Sequence, residues 1–230
     1  MDLRALAMGL VFVTMWASAF TSARIIVTEA PPMAALSVRF LISGLIAVAI
    51  ARALGQSWRL TRAQAGATVL FGICQNALYL GLNFVAMQTV EASLATIIAS
   101  TMPLLVAFAA WIVFGERLSP LGIAGLAAGF AGVALIMGTR LQGGADPYGV
   151  ALCFLGAVAL TFATLSVRGA SSGGNVLMIV GLQMLVGSAA LVVPAALFET
   201  WEVTLSWRLA AAFVYTLFIP GLAATLVWFL

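Results

Sequence analysis

Residues 83–138 read NFVAMQTVEASLATIIASTMPLLVAFAAWIVFGERLSPLGIAGLAAGFAGVALIMG. Two apolar runs, 90–114 and 120–138, flank a turn in which Gly115 and Ser119-Pro120 bracket the charged pair Glu116-Arg117. About twenty apolar residues rising 1.5 Å each cross a hydrocarbon core of about 30 Å. The stretch therefore reads as helix, polar turn, helix inside a membrane.

The same pattern extends in both directions. Candidate spans 1 to 8 cover 5–28, 32–53, 64–86, 90–114, 120–138, 148–168, 175–197 and 208–230, the last interrupted by Pro220. Breakers fall between them: Pro31-Pro32, Gly143-Gly144, Pro147 and Gly173-Gly174. Composition agrees, with 64% hydrophobic and 7% charged residues and a mean hydropathy of +1.18, whereas soluble domains carry about 25% charged residues. The expected class is an all-α polytopic membrane protein forming one integrated membrane domain. Arg4, the apolar run from Leu6 and Ala17-Ser18-Ala19 resemble a signal peptide, but the run continues through Phe20 to Val27, long enough to span.

The ten basic residues are all arginine, and histidine and lysine are absent. That removes the Ser-His-Asp relay, the HExxH zinc site, the Schiff-base lysine and the P-loop lysine. No enzyme, cofactor or metal is expected. Cys74 and Cys153 fall mid-span and read as buried thiols acting as small hydrophobes. The net charge of +3 is scattered over the loops, which argues against nucleic-acid binding and reads as a topology signal. Arg4, Arg52, Arg59, Arg62, Arg117 and Arg168 would gather on one side, which places the N-terminus in the cytoplasm; complete lysine avoidance points to a bacterium, so the expected location is a bacterial inner membrane.

A shift of 144 residues brings spans 1, 2 and 3 onto spans 6, 7 and 8, with Ser22 on Ser166 and Arg24 on Arg168. An odd number of spans per copy inserts the second copy upside down, as in inverted-repeat transporters. The expected organisation is an inverted repeat of five-helix units, with residues 1–140 the first copy and 141–230 the second. Partners for spans 4 and 5 would begin beyond Leu230. Ten helices are expected in the complete protein, eight of them in this chain; a naturally eight-helix protein is the competing reading.

Residues 83–138, with Pro103 in span 4 and Gly115-Glu116-Arg117 at its end, resemble the EamA family of the drug/metabolite transporter superfamily. Trp16 in span 1 and Arg39-Phe40 in span 2 fit the same pattern. The resemblance implies a secondary transporter of small metabolites. Amino-acid exporters of the bacterial YddG type are among the characterised relatives; others move sugar phosphates, nucleotide sugars or drugs. Aromatic or neutral amino acids are the leading expectation. A non-transporting membrane scaffold or sensor is the rival of another class.

Polar residues within spans are the candidate lining. Gln75, Asn76, Tyr79 and Asn83 stripe span 3; Ser93, Thr96 and Ser100 stripe span 4; Thr14, Ser18, Thr21 and Ser22 lie near Trp16 in span 1. Thr161 and Thr164 add to them from span 6. Side chains three or four apart share a helix face, and such faces turn away from lipid. They serve either substrate or ordinary interhelical hydrogen bonds.

Arg39 is the costliest residue, at about 2.5–3.5 kcal/mol for a central position on the insertion scale. Its guanidinium could hold a carboxylate in bidentate fashion, or it could pair with Glu29 or Glu91, or bond helix carbonyls. Pro103 and Pro220 are candidate hinges. Glycines 122, 125, 129 and 132 smooth one face of span 5 for helix packing. No carboxylate falls mid-span, which favours a facilitator or exchanger over proton antiport.

Overall fold

Proline and small hydroxyl or carboxylate residues set where each helix begins. Pro32 opens one helix. Thr61, Ser119, Asp146 and Ser206 accept hydrogen bonds from the first-turn N–H groups of four others. Gly115 supplies the left-handed residue (φ 64°) that ends a sixth.

The computed structural model describes residues 3–168 and 173–219. In chain order the elements are α1 (Leu3–Glu29), α2 (Pro32–Ala53), α3 (Arg62–Phe71), a π-helical segment (Gly72–Tyr79), α4 (Leu80–Ala86), α5 (Ala92–Ala99), α6 (Met102–Phe114), α7 (Pro120–Gln142), α8 (Pro147–Ser166), α9 (Val176–Phe198) and α10 (Trp207–Thr216). Among the described residues there is no strand. Seven stretches are long and apolar enough to cross a membrane, and Trp207–Ile219 is a shorter apolar one. The expected all-helical membrane fold is thus observed.

Two expectations need correction. Span 3 is not a uniform α-helix, because its middle unwinds into the π segment. Span 4 is not continuous: Ser100 and Thr101 form a turn between α5 and α6. Pro103 is the second residue of α6, where its missing N–H costs nothing. Pro220, the other candidate hinge, lies outside the described residues.

Central to the packing among the described residues is the antiparallel pair α2–α9, the most extensive helix–helix contact, although each helix keeps one exposed face. A Cβ on Gly44 would stand 3.0 Å from the Gly181 carbonyl oxygen, and one on Gly181 3.1 Å from that of Gly44, so the backbones touch. Farther along, the Ser37 hydroxyl donates to the Ser188 carbonyl at 3.0 Å, and the Ser188 hydroxyl donates to the Ser37 carbonyl at 2.8 Å. The shift of 144 carries Ser37 onto Gly181 and Gly44 onto Ser188. The two contacts are therefore images of each other about a two-fold axis between them.

The helix ends repeat the relation. The Glu199 carboxylate, just past α9, accepts from the Met33 and Ala34 N–H groups that open α2. The Gln56 side-chain oxygen, just past α2, accepts from the Met178 N–H that opens α9. Each central helix is capped by a side chain from beyond the other's end. Around this pair, α1 packs on α10, and α8 packs on the π segment and α4; the same shift exchanges these contacts too. α7 packs chiefly on α6, where Gly129 meets Leu104, and most of its surface is exposed.

Candidate functional site

Spans 1, 3, 4, 6 and 8 meet one another next to the central pair: α1 touches α4, α5 and α10, and α8 touches the π segment, α4, α5 and α6. On α1, Trp16 is half-buried and meets Phe20 edge to face at 5.3 Å. The Ser18 hydroxyl donates to the Met15 carbonyl at 2.8 Å, so its 2.6 Å contact with the Tyr215 hydroxyl is one in which Tyr215 donates. Tyr215 was not among the expected residues. Its signal was a phenol inside an apolar span, the kind of group that seeks a partner away from lipid.

The π segment carries Gln75, Asn76 and Tyr79. Its i→i+5 bonding widens the turn, so a spacing of three, as between Asn76 and Tyr79, no longer shares a face. The expected stripe divides accordingly. Asn76 turns to α9 and donates to the Gln183 carbonyl at 2.9 Å, beside Gly187, where an added Cβ would lie 2.3 Å from the Asn76 Cβ. Tyr79 and Asn83 turn to α8: a Cβ on Gly156 would stand 3.0 Å from Asn83 Nδ2 and 3.1 Å from the Tyr79 carbonyl oxygen. Asn83 donates to that carbonyl at 2.7 Å. Its own side-chain oxygen and the Tyr79 hydroxyl are buried without a partner among the described residues. Gln75 is half-buried beside them in sequence.

The hydroxyls on the other spans are satisfied locally. Thr96, Ser100, Thr161 and Thr164 each donate to a carbonyl three or four residues back in their own helix. Thr161 is buried and Thr164 half-buried, while Ser100 and Pro103 are exposed at the break between α5 and α6.

Arg39 stands apart. It is 6% exposed, and its guanidinium carbon lies 5.1 Å from the centre of the Phe40 ring. Its Nε has no hydrogen-bond partner among the described residues. The expected carboxylate partners are engaged elsewhere: Glu29 accepts from Ser206, and Glu91 pairs with Arg140 at 3.6 Å. A ring face returns about 0.5–2 kcal/mol to a cation, less than a hydrogen-bonded carboxylate would.

The two ends of the bundle differ. At the Glu29 end, Arg24 donates to the Met87 carbonyl, Thr89 donates to Asp146 at 2.6 Å, and Thr204 N–H donates to the Glu29 carbonyl at 2.8 Å. A groove of about 220 Å³ remains there beside Met33, Gln88 and Glu199. At the Arg52 end a cleft of about 670 Å³ opens between Phe114-Glu116 of one side and Leu165-Arg168 of the other. One ion pair spans it, Arg168 to Glu116 at 2.6 Å, half exposed on both sides. Arg24 and Arg168, equivalent under the shift of 144, thus tie opposite ends.

Asp146 supplies a pH test of the tied end. The Thr89 hydroxyl, with the Gly149 and Tyr148 N–H groups, holds its carboxyl below the ordinary 3.8, partly opposed by desolvation. A depressed acid contributes stability that is present above its unfolded value and lost as pH falls through the folded one. Melting curves collected from about pH 7 down to about pH 3.5 should fall more steeply below about pH 4 in the native chain than in Asp146→Asn. Parallel curves would mean that the carboxylate bonds do not form.

Residues 3–138 match the EamA-like transporter family. A Bacillus subtilis (strain 168) protein described as the uncharacterized transporter YvbV is 27% identical over 218 residues, 94% of this chain and 70% of its own length. A solved crystal structure shares the fold with a TM-score of 0.70 at 23% sequence identity, covering 98% of this chain and 77% of its own.

Proposed function

The chain belongs to the EamA-like transporter family, and from that membership we propose that it is a carrier, not an enzyme, exporting small carboxylate-bearing metabolites. Amino acids, aromatic or neutral, are the leading cargo. The observation that carries the choice of cargo is Arg39, a buried guanidinium beside Phe40 with no carboxylate partner among the described residues. A group so costly to place in a membrane is usually kept for a ligand or a charge pathway, and the planar guanidinium fork matches a carboxylate.

Transport proceeds by alternating access between two inverted copies, residues 1–140 and 141–230. The positive-inside rule sets the Arg52 end in the cytoplasm, and the cleft between α6 and α8 is then the cytoplasmic mouth. An exposed pair such as Arg168–Glu116 contributes about 0–1 kcal/mol, so that mouth opens at small cost. The Glu29 end, held by several hydrogen bonds between helices, is the closed one. All carboxylates among the described residues lie at helix ends or in loops, which supports exchange or facilitated flux over proton antiport.

Counterflow in proteoliposomes tests the reading. Vesicles preloaded with single unlabelled amino acids should accumulate label for a subset of them. Accumulation only with sugar phosphates or nucleotide sugars would replace the cargo, and none with any solute would favour a scaffold or sensor.

A further inference from the structure

The chain between α9 and α10 has no helical turn and is extended at both ends, with Glu199 at φ −108° and ψ 141° and Ser206 at φ −132° and ψ 159°. Extended backbone puts alternate side chains on opposite sides. One set is Trp201, Val203, Leu205 and Trp207, and the intervening set is Glu202, Thr204 and Ser206. The apolar set is exposed to a degree unusual for such residues: 68% for Trp201, 89% for Leu205 and 80% for Trp207.

The polar edge of the segment is tied to the bundle. Thr204 N–H donates to the Glu29 carbonyl at 2.8 Å, and the Ser206 hydroxyl donates to the Glu29 carboxylate while capping α10. Glu199, where the segment starts, caps α2 through Met33 and Ala34. The ends of α1, α2 and α10 therefore all hang on nine residues.

We propose that residues 199–207 form an interfacial strap, with Trp201, Val203, Leu205 and Trp207 seated in the headgroup and glycerol layer of the bilayer leaflet at the Glu29 end. The strap begins one residue after the membrane-crossing helix α9 and ends at the first residue of α10, so its depth is that of the membrane boundary. Its apolar side continues the exposed Leu197 and Phe198 of α9, Val214 of α10 and Phe218 just beyond it. Indole rings favour this layer, where the ring meets acyl chain and the N–H meets ester oxygen. Glu199 and Glu202 on the strap oppose deeper insertion. The bilayer boundary thus fixes the depth of the three helix ends that close this side of the bundle.

Single-tryptophan chains that keep Trp201 or Trp207, with the other five tryptophans replaced by phenylalanine, would be reconstituted in phosphatidylcholine vesicles. Bromines at the 6,7 positions of the acyl chain should quench each fluorophore about twofold or more over bromines at the 11,12 positions, and aqueous iodide should quench far less than it quenches free indole. Iodide quenching equal to that of free indole would place the strap in water and overturn the proposal. Stronger quenching by the deep bromines would do so by placing it in the core. Bromolipid quenching that vanishes as the protein-to-lipid ratio rises would mean that a second copy covers the strap instead. Where the multiple substitutions impair folding, a nitroxide on Leu205→Cys, with both buried cysteines retained, reads the same depth from the ratio of oxygen to nickel-chelate accessibility. A ratio typical of bulk water would equally overturn the strap.

Discussion

Replacing Arg39 by alanine is expected to lower the affinity for a carboxylate substrate roughly 10- to 150-fold while leaving the protein as stable as before. A charge-assisted hydrogen-bonded contact contributes about 1.5–3 kcal/mol, and each 1.4 kcal/mol is about tenfold. The stability half of the prediction is the unusual one. Removing one partner of a buried ion pair strands the other, at about 3–5 kcal/mol, but Arg39 has no such partner among the described residues. What Arg39→Ala gives up is the contact with the Phe40 ring, about 0.5–2 kcal/mol, against the relief of a buried charge. Arg39→Lys keeps the charge but not the planar fork, and should recover only part of the affinity. The measurements are substrate titration of counterflow and the melting temperature of the same preparations. Unchanged affinity in Arg39→Ala would end the carboxylate role, and a melting temperature lowered by many degrees would show the residue to be structural.

Gly187→Ala should have the largest effect on folding. Its new Cβ would stand 2.3 Å from the Asn76 Cβ and 3.2 Å from the Gly72 carbonyl oxygen. Neither neighbour can swing away, since one is a Cβ in a helix and the other is backbone. α9 and the π segment must separate, and the Asn76–Gln183 hydrogen bond goes with the contact. Overpacking costs about 1–3 kcal/mol when flexible side chains can yield, so a rigid clash belongs at or above the top of that range. Little monodisperse protein should survive detergent extraction. The control is Gly125→Ala on α7, where an added Cβ meets nothing within 4 Å. Gly→Ala in a compatible helix is worth about 0.4–1 kcal/mol, so this variant should extract as well as the native chain or better. Equal behaviour of the two would mean that α9 and the π segment do not pack as closely as described.

Much of the fold is legible in the sequence. Apolar runs of membrane-crossing length, separated by Pro, Gly and capping residues, locate the helices to within a few residues, because the bilayer demands length and composition more than particular side chains. The break beside Pro103 was half legible: a proline announces that the helix is interrupted, but the turn falls on Ser100 and Thr101, three and two residues earlier. The π segment was not legible at all. Nothing in Gly72–Tyr79 forbids an ordinary α-helix, and the wider turn takes its reason from the neighbours that pack on it, with Gly72 against the Gln183 carbonyl and Tyr79 against Gly156. Once it is present, a stripe drawn at 3.6 residues per turn no longer describes one face.

The central pairing was hidden for a different reason. The shift of 144 aligns serine with glycine at both contact positions, so comparing letters shows two mismatches. In space the same arrangement is a serine on serine and a glycine on glycine, since an inverted pair places each residue opposite a different one from its sequence equivalent. By itself the chain determined that it crosses a membrane many times and that Arg39 is expensive to bury, since both follow from transfer free energies belonging to single residues. Whether Arg39 has a partner, which face Asn76 takes and how α2 meets α9 were decided only by the tertiary structure, because each depends on distances between helices far apart in sequence.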